Sequence, residues 1–187
     1  MRRDRDRAQH ALAQDCLKAG LLDRAEAALL QLAGTTFEAE AQLALLAIYE
    51  RSRDWDKAAT TATRLEGSTQ GTFRLRLAHY RCEQAQQLRA QGHTTEALAM
   101  LETLVQQVPT SARAWIALAD MRQSLGHTAG GLEALEALGR HVPQHLPLVA
   151  HNLVQWARVC QTTDRAQQLL LDYRQRHLPS LDVTQAL

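Results

Sequence analysis

Eight histidines and three cysteines are the side chains of this chain best suited to holding a metal or attacking an electrophile. A zinc hydrolase site on a helix needs H-E-x-x-H, because that spacing sets two imidazoles and a glutamate base on one face. Neither that motif nor an H-x-x-H pair occurs, and Cys16, Cys82 and Cys160 lie far apart with no C-x-x-C. A cysteine nucleophile needs a base beside it, and the sequence pairs none with these thiols. An odd, scattered set of cysteines fits buried thiols in a reducing compartment. His93 and His127 each follow a glycine in two similar segments and read as polar turn residues. The chain is expected to be no enzyme and to carry neither metal nor cofactor.

Binding is the chemistry that remains, and charge limits the partner. Twenty-one basic residues against 20 acidic ones leave a formal charge of +1, whereas a nucleic-acid surface needs clustered positive charge. The run Arg2-Arg3-Asp4-Arg5-Asp6-Arg7 alternates in sign and largely cancels, as a solvated helix start does. No segment approaches the ~18 consecutive apolar residues of a membrane span. Trp55, Trp115 and Trp156 share no register and read as packing residues. These observations point to a soluble chain whose partners are proteins rather than nucleic acid.

The elements that would position a protein-binding surface announce themselves as an internal echo. The segments from Gln91 to Pro109 and from Leu125 to Pro143 match at a separation of 34: Gly92 with Gly126, His93 with His127, Leu101 with Leu135, Leu104 with Leu138, Pro109 with Pro143. Helical patterning at that period is the signature of the tetratricopeptide repeat, a helix, a tight turn and a second helix. The B helix must approach the A helix closely, so each repeat needs a small residue there. Ala25, Ala58, Ala97, Gly131 and Ala166 fill the role at separations of 33, 39, 34 and 35. A-helix apolar positions include Leu12, Ala13 and Cys16, then Leu45, Leu46 and Tyr49; Leu29 with Leu32, Leu101 with Leu104 and Leu135 with Leu138 serve the B helices. The expected fold class is all-α, a tetratricopeptide-repeat superhelix (α-solenoid) of about five helix-turn-helix repeats, ten helices and no strands. The repeats fall near residues 6–35, 36–66, 72–109, 110–143 and 144–179, in one array over 1–179 with a tail at 180–187.

Punctuation supports that count. Gly20, Gly92 and Gly126 stand where an A helix should end in a left-handed residue. Pro109 and Pro143 close B helices, and Pro147 suits the first turn of the next A helix. Thr35 and Glu38 have capping-box spacing. The long gap predicts a loop insertion over Glu66–Thr72, which holds Gly67, Ser68 and Gly71. Gly130 and Gly131 each cost roughly 1 kcal/mol relative to alanine inside a helix, which makes that B helix the weakest of the set.

In a tetratricopeptide array one stripe of each A helix faces the concave groove. Counted from the small B-helix residue, the stripe runs through Arg7, His10 and Gln14, then Glu40, Leu43 and Ala47. It continues with His79, Cys82, Gln86 and Arg89, then Arg113, Ile116, Asp120 and Gln123, then His151, Gln155 and Arg158. The groove candidates are His79, Gln86, Arg89, Arg113, Asp120, Gln123, His151, Gln155 and Arg158, a mixed polar set with a mild cationic bias that suits a somewhat acidic peptide or helix. Cys82 reads as a small packing residue. The lysine and asparagine clamp by which chaperone-binding repeats grip a C-terminal carboxylate is absent: His10 and Gln14, Leu43 and Ala47, and Cys82 and Gln86 stand in its place.

Several less regular segments carry a more specific likeness. LAQDCLKAGLLDRAE at Leu12–Glu26, LLAIYERSRDWDKA at Leu45–Ala58, HYRCEQA at His79–Ala85 and the later ARAWIALADMRQSLGH occur in that order. Together, over roughly residues 5–160, they resemble the lipopolysaccharide assembly protein B family of Gram-negative bacteria. That resemblance implies a cytoplasmic repeat array, hung from the inner membrane by an N-terminal helix and finished by a rubredoxin-like zinc module. It implies an adaptor between the membrane-bound protease FtsH and the deacetylase that commits lipid A synthesis. Membrane helix and four-cysteine module do not appear in this sequence, so the chain is expected to be the middle portion of such a protein. The alternative is a self-association module, a homo-oligomer through apolar faces of its terminal repeats.

Overall fold

The computed structural model describes residues 2–68 and 72–176, and every regular element among them is helical. Ten α-helices follow one another: α1 (Arg2–Lys18), α2 (Leu22–Leu30), α3 (Glu38–Ser52), α4 (Trp55–Ser68), α5 (Arg74–Ala90), α6 (Thr94–Gln107), α7 (Ala112–Ser124), α8 (Thr128–His141), α9 (Ala150–Val159) and α10 (Thr163–Arg176). A 3₁₀ helix over Pro143–Val149 precedes α9. The chain forms two compact units, Met1–Tyr80 and Arg81–Leu187, divided inside α5.

One turn is used five times. After α5, Gly92 adopts φ 88°, which directs the His93 N–H back to the Leu88 carbonyl at 2.9 Å. The same six-residue closure, with a left-handed residue just before the donor, ends the other A helices. Leu21 bonds Cys16, Asp54 bonds Tyr49, His127 bonds Arg122 and Thr162 bonds Ala157, at 2.9–3.0 Å. These bonds satisfy carbonyls that a helix end would otherwise leave open. The left-handed residue is glycine at positions 20, 92 and 126, but it is Arg53 after α3 and Gln161 after α9.

Close approach explains the small B-helix residues. Ala25, Ala58 and Ala97 are fully buried, and Ala166 nearly so. At Gly131 even a Cβ would lie 3.1 Å from the Ala119 carbonyl oxygen on α7 and 3.2 Å from Cζ3 of Trp156 on α9. Around these contacts Leu29, Leu32, Leu45, Leu46 and Leu65 fill the first unit, and Leu101, Leu118, Leu135, Leu138 and Leu153 the second. Each fully buried leucine contributes about 1.5–3 kcal/mol, so leucine supplies the core that scarce aromatics do not.

Four local expectations are corrected. Leu12 is 47% exposed, because α1 packs along Ala13 and Cys16, one turn apart, and Leu12 lies off that seam. Thr35 and Glu38 do not close a capping box. Helix α3 begins only at Glu38, the Thr35 hydroxyl accepts from Phe37 N–H at 3.2 Å, and the Glu38 carboxylate takes Gly34 N–H at 3.0 Å. Pro147 lies in the 3₁₀ helix, three residues ahead of α9, where its missing N–H costs no α-helical bond. Helix α4 continues through Glu66 and Gly67 to Ser68, anchored by buried Leu65, and the Glu66 carboxylate accepts the Phe73 N–H. Residues 69–71 of the expected insertion and the expected tail at 180–187 lie outside the described residues.

Candidate partner-binding surface

In the first unit His10, Gln14, Glu40 and His79 of the A-helix stripe are engaged in contacts, while Arg7, Leu43 and Ala47 are exposed. His10 stacks on Phe37 at 4.5 Å between centroids, lies 3.2 Å from the Glu40 carboxylate and meets Gln14 at 3.5 Å. His79, half-buried, packs edge-on against Trp55 at 5.7 Å and beside Tyr80 at 5.8 Å. Tyr80 and Arg76 both donate to Glu50, Arg76 at 2.8 Å. Burial acts to raise the Glu50 carboxyl, but those two hydrogen bonds outweigh it and hold it below the usual carboxylate range. Burial and the same bond push Tyr80 up to about 12. His79 thus belongs to a packed aromatic and ionic corner of the first unit.

The other eight candidates belong to the second unit. Gln86 and Arg89 are exposed on the last turns of α5; Arg113 and Asp120 are exposed on α7, with Gln123 half-buried; His151, Gln155 and Arg158 are exposed along α9. Intervals of three, four or seven keep each helix's set on one face. Arg113 donates to the Glu83 carboxylate and thereby ties α7 to α5. Burial raises the Asp120 carboxyl above its ordinary value, with the Arg89 charge pulling the other way. One of the three arginines on this face, Arg113, is thus bonded to a carboxylate, and Arg89 acts on Asp120 only through its charge, so the cationic bias expected from the sequence is reduced at Arg113. The Gln123 Oε1 is buried without a hydrogen-bond donor.

Cys82 does not lie on an open surface. It is fully buried, and burial pushes its thiol up to about 11 despite Arg113 nearby. Over Ala78–Ala85 helix α5 is enclosed, five residues buried and three half-buried, so the register that exposes Gln86 does not expose Cys82. Trp55, Trp115 and Trp156 are buried, and the Trp115 indole donates to the Pro109 carbonyl at 2.9 Å and stacks on His141. His93 and His127 precede α6 and α8 at the turn, with His93 3.0 Å from Glu96. Among the described residues no three metal-ligating side chains converge, and no helix is long and apolar enough to cross a membrane.

Comparison with known proteins fits this geometry. The tetratricopeptide repeat family model matches residues 88–155. Lipopolysaccharide assembly protein B of Escherichia coli strain K12 is 34% identical over 143 residues, 76% of this chain and 36% of that protein. The chain is a tetratricopeptide-repeat relative of lipopolysaccharide assembly protein B. The protein of that name from Haemophilus influenzae is 29% identical over 139 residues, 74% of this chain and 35% of its own length. The chain thus spans about a third of the length of these curated relatives. A solved structure of a MamA double mutant shares the fold, with a TM-score of 0.51 at 17% identity over 94% of this chain and 98% of that one.

In this tetratricopeptide chain the polar ties between successive repeats escaped sequence reasoning. Tyr80 bonds Glu50 at a sequence separation of 30, Arg113 bonds Glu83 at 30, and Arg165 bonds Glu136 at 29. A carboxylate and a donor spaced about one helical turn short of the repeat period are the signal that could have found them.

Proposed function

We propose that this chain is a non-catalytic adaptor segment that acts in the control of lipopolysaccharide synthesis by binding proteins. The observation that carries the reading is the 34% identity to lipopolysaccharide assembly protein B over 143 residues. The open polar faces of α5, α7 and α9 supply a surface for it. Gln86, Arg89, Arg113, Asp120, Gln123, His151, Gln155 and Arg158 of the second unit form the docking face, and His79 supports the first unit. The partners are the FtsH protease and the lipid A deacetylase, as the resemblance of the first-half segments implies, and the setting is the cytoplasmic face of the inner membrane. The groups on the docking face are suited to hydrogen-bonding a polar segment, and no nucleophile and base stand together there. Self-association through the end helices is less favoured: the exposed large apolar side chain on α1 is Leu12, and α10 presents none among its described residues.

The test is capture from a Gram-negative lysate with immunodetection of the protease and the deacetylase, using full-length lipopolysaccharide assembly protein B as positive control. The chain should retain at least one of the two, and Arg158→Glu should reduce the captured amount. Recovery of neither, while the control recovers both, would overturn the assignment.

A further inference from the structure

We propose that the trough in the first unit between α2 and α4, floored by α3, is a second binding site, which takes a carboxylate from a protein partner, the side chain of an aspartate or glutamate beside an aliphatic residue. It uses none of the A-helix stripe. Gln42 on α3 and Thr61 on α4 are only 8% and 5% exposed, and both line one cavity of about 270 Å³. The Gln42 Oε1 is sealed in the packing, so the amide nitrogen is the end left open. Neither Gln42 Nε2 nor the Thr61 hydroxyl is bonded to any described residue, and neither is closed to solvent. The neighbouring hydroxyls of Thr60 and Thr63 donate back to the carbonyls of Asp56 and Ala59 at 2.9 and 2.8 Å. Polar side chains buried this deeply ordinarily have a partner, and these two keep their free groups for the cavity.

The surroundings choose the ligand. Arg64 lines the same cavity one turn along α4 from Thr61, and among the described residues no carboxylate lies within ion-pair distance of its guanidinium. Lys57, the other cation of the cavity, is taken up by Glu26 at 2.9 Å and Asp54 at 3.5 Å. Asp56 stands two turns of α4 from Arg64, ~12 Å along the axis. Glu38 lines an adjoining cavity with Gln42 and Arg64, and its carboxylate is held by the Gly34 N–H at 3.0 Å. An amide N–H, a hydroxyl and a guanidinium thus share one cavity as donors without an acceptor. A carboxylate suits all three, and its bonds to them are charge-assisted, the stronger kind. A cation would meet Arg64 instead. Leu30, the last residue of α2, lines the same cavity and is 50% exposed, so an aliphatic residue next to the acid would cover it. The volume far exceeds the ~30 Å³ of a single water and gives room for a side chain.

This inference rests on the adaptor reading only in taking the carboxylate from a protein, and its test needs no lipopolysaccharide partner, so the two can fail separately. The ¹⁵N-labelled full chain is titrated through the millimolar range with Nα-acetyl-leucyl-glutamate methylamide, its neutral glutamine counterpart and acetate. The glutamate probe should give saturable shifts centred on the amides of Gln42, Thr61 and Arg64 and on the Gln42 side-chain NH₂. The glutamine probe and acetate should each bind roughly tenfold or more weakly. Arg64→Gln, at an exposed position, should weaken the glutamate probe by a similar factor and leave the response to the glutamine probe in place. Thr61→Val, close in shape, should weaken it several-fold. Absence of saturable shifts, an equal response to the glutamine probe, or undiminished binding by Arg64→Gln would overturn the site. Acetate binding as tightly as the glutamate probe would mark a small-anion site and overturn the assignment to a protein partner.

Discussion

The five A-to-B turns form a set of opposed experiments, because one left-handed position holds glycine in three of them and Arg53 or Gln161 in the others. A left-handed conformation costs an L-residue about 1–2 kcal/mol, and glycine loses about 0.5–1 kcal/mol more chain entropy on folding than alanine. The difference favours glycine at such a site by about 0.5–1 kcal/mol. Arg53 is exposed, and its turn is held by backbone bonds that substitution leaves in place: its own N–H to Glu50 O at 3.2 Å and Asp54 N–H to Tyr49 O at 3.0 Å. Arg53→Gly and Gln161→Gly should therefore each stabilise by about 0.5–1 kcal/mol. Gly92→Ala should destabilise by about the same amount. A Cβ added at Gly92 meets nothing within 4 Å, so backbone conformation alone sets that cost.

Gly67→Ala is the control. It is the same chemical change, also into open space, but in the helical backbone of α4, where alanine is better than glycine by up to about 1 kcal/mol. Urea denaturation followed by circular dichroism reads the shift in midpoint at unchanged slope. A neutral or stabilising Gly92→Ala, or a destabilising Arg53→Gly, would show that side-chain contacts rather than backbone handedness govern these turns.

The remaining predictions concern titration and reactivity. Cys16 and Cys82 are buried and Cys160 is half-buried, so a thiol reagent should label Cys160 first and reach the others only on unfolding. Mass spectrometry of digests checks the order, and rapid native labelling of Cys82 would contradict its enclosure. Tyr49 and Tyr80 are both pushed up to about 12, by burial and by bonds to Glu26 and Glu50. Unfolded tyrosine ionises near ~10, so above that pH the unfolded chain loses protons that the folded chain keeps. Stability should be full below about pH 10 and fall as pH rises toward about 12. Urea midpoints across that window measure the slope, which Tyr80→Phe should flatten; an unchanged slope would refute the role of the buried hydroxyl.

The helical plan was legible because a repeat states its rules more than once. The 34-residue echo located α6 and α8, and small residues located the B helices even where the echo faded. Features that depend on what a side chain meets were not legible. Nothing in the identity of Arg53 or Gln161 announces a left-handed backbone; the demand comes from the turn, and the array imposes it on residues that tolerate it poorly. Thr35 and Glu38 had the right spacing, but α3 begins at Glu38, too late for a capping box. Cys82 shared a register with Gln86 yet lies in the enclosed part of α5. For the candidate face, position along the helices could be read from the sequence, but charge could not, because the carboxylate that bonds Arg113 and the one whose titration Arg89 affects are on other helices.

That last point bears on what a partner would feel. A formal count treats Arg89, Arg113 and Arg158 as equivalent cations, yet Arg113 is bonded to the Glu83 carboxylate, whereas Arg89 acts on Asp120 only through its charge. Among the described residues no carboxylate lies within ion-pair distance of Arg158 on α9. An arginine already bonded has surrendered part of its attraction and its freedom to reorient, so it contributes shape and hydrogen-bonding edges more than charge. Reversal at Arg113 sets two carboxylates against each other between α5 and α7, and so disturbs fold and binding together. Reversal at Arg158 alters the charge presented to a partner and leaves those ties intact. The difference between these two variants therefore separates a surface that recognises charge from one whose charges hold consecutive repeats together.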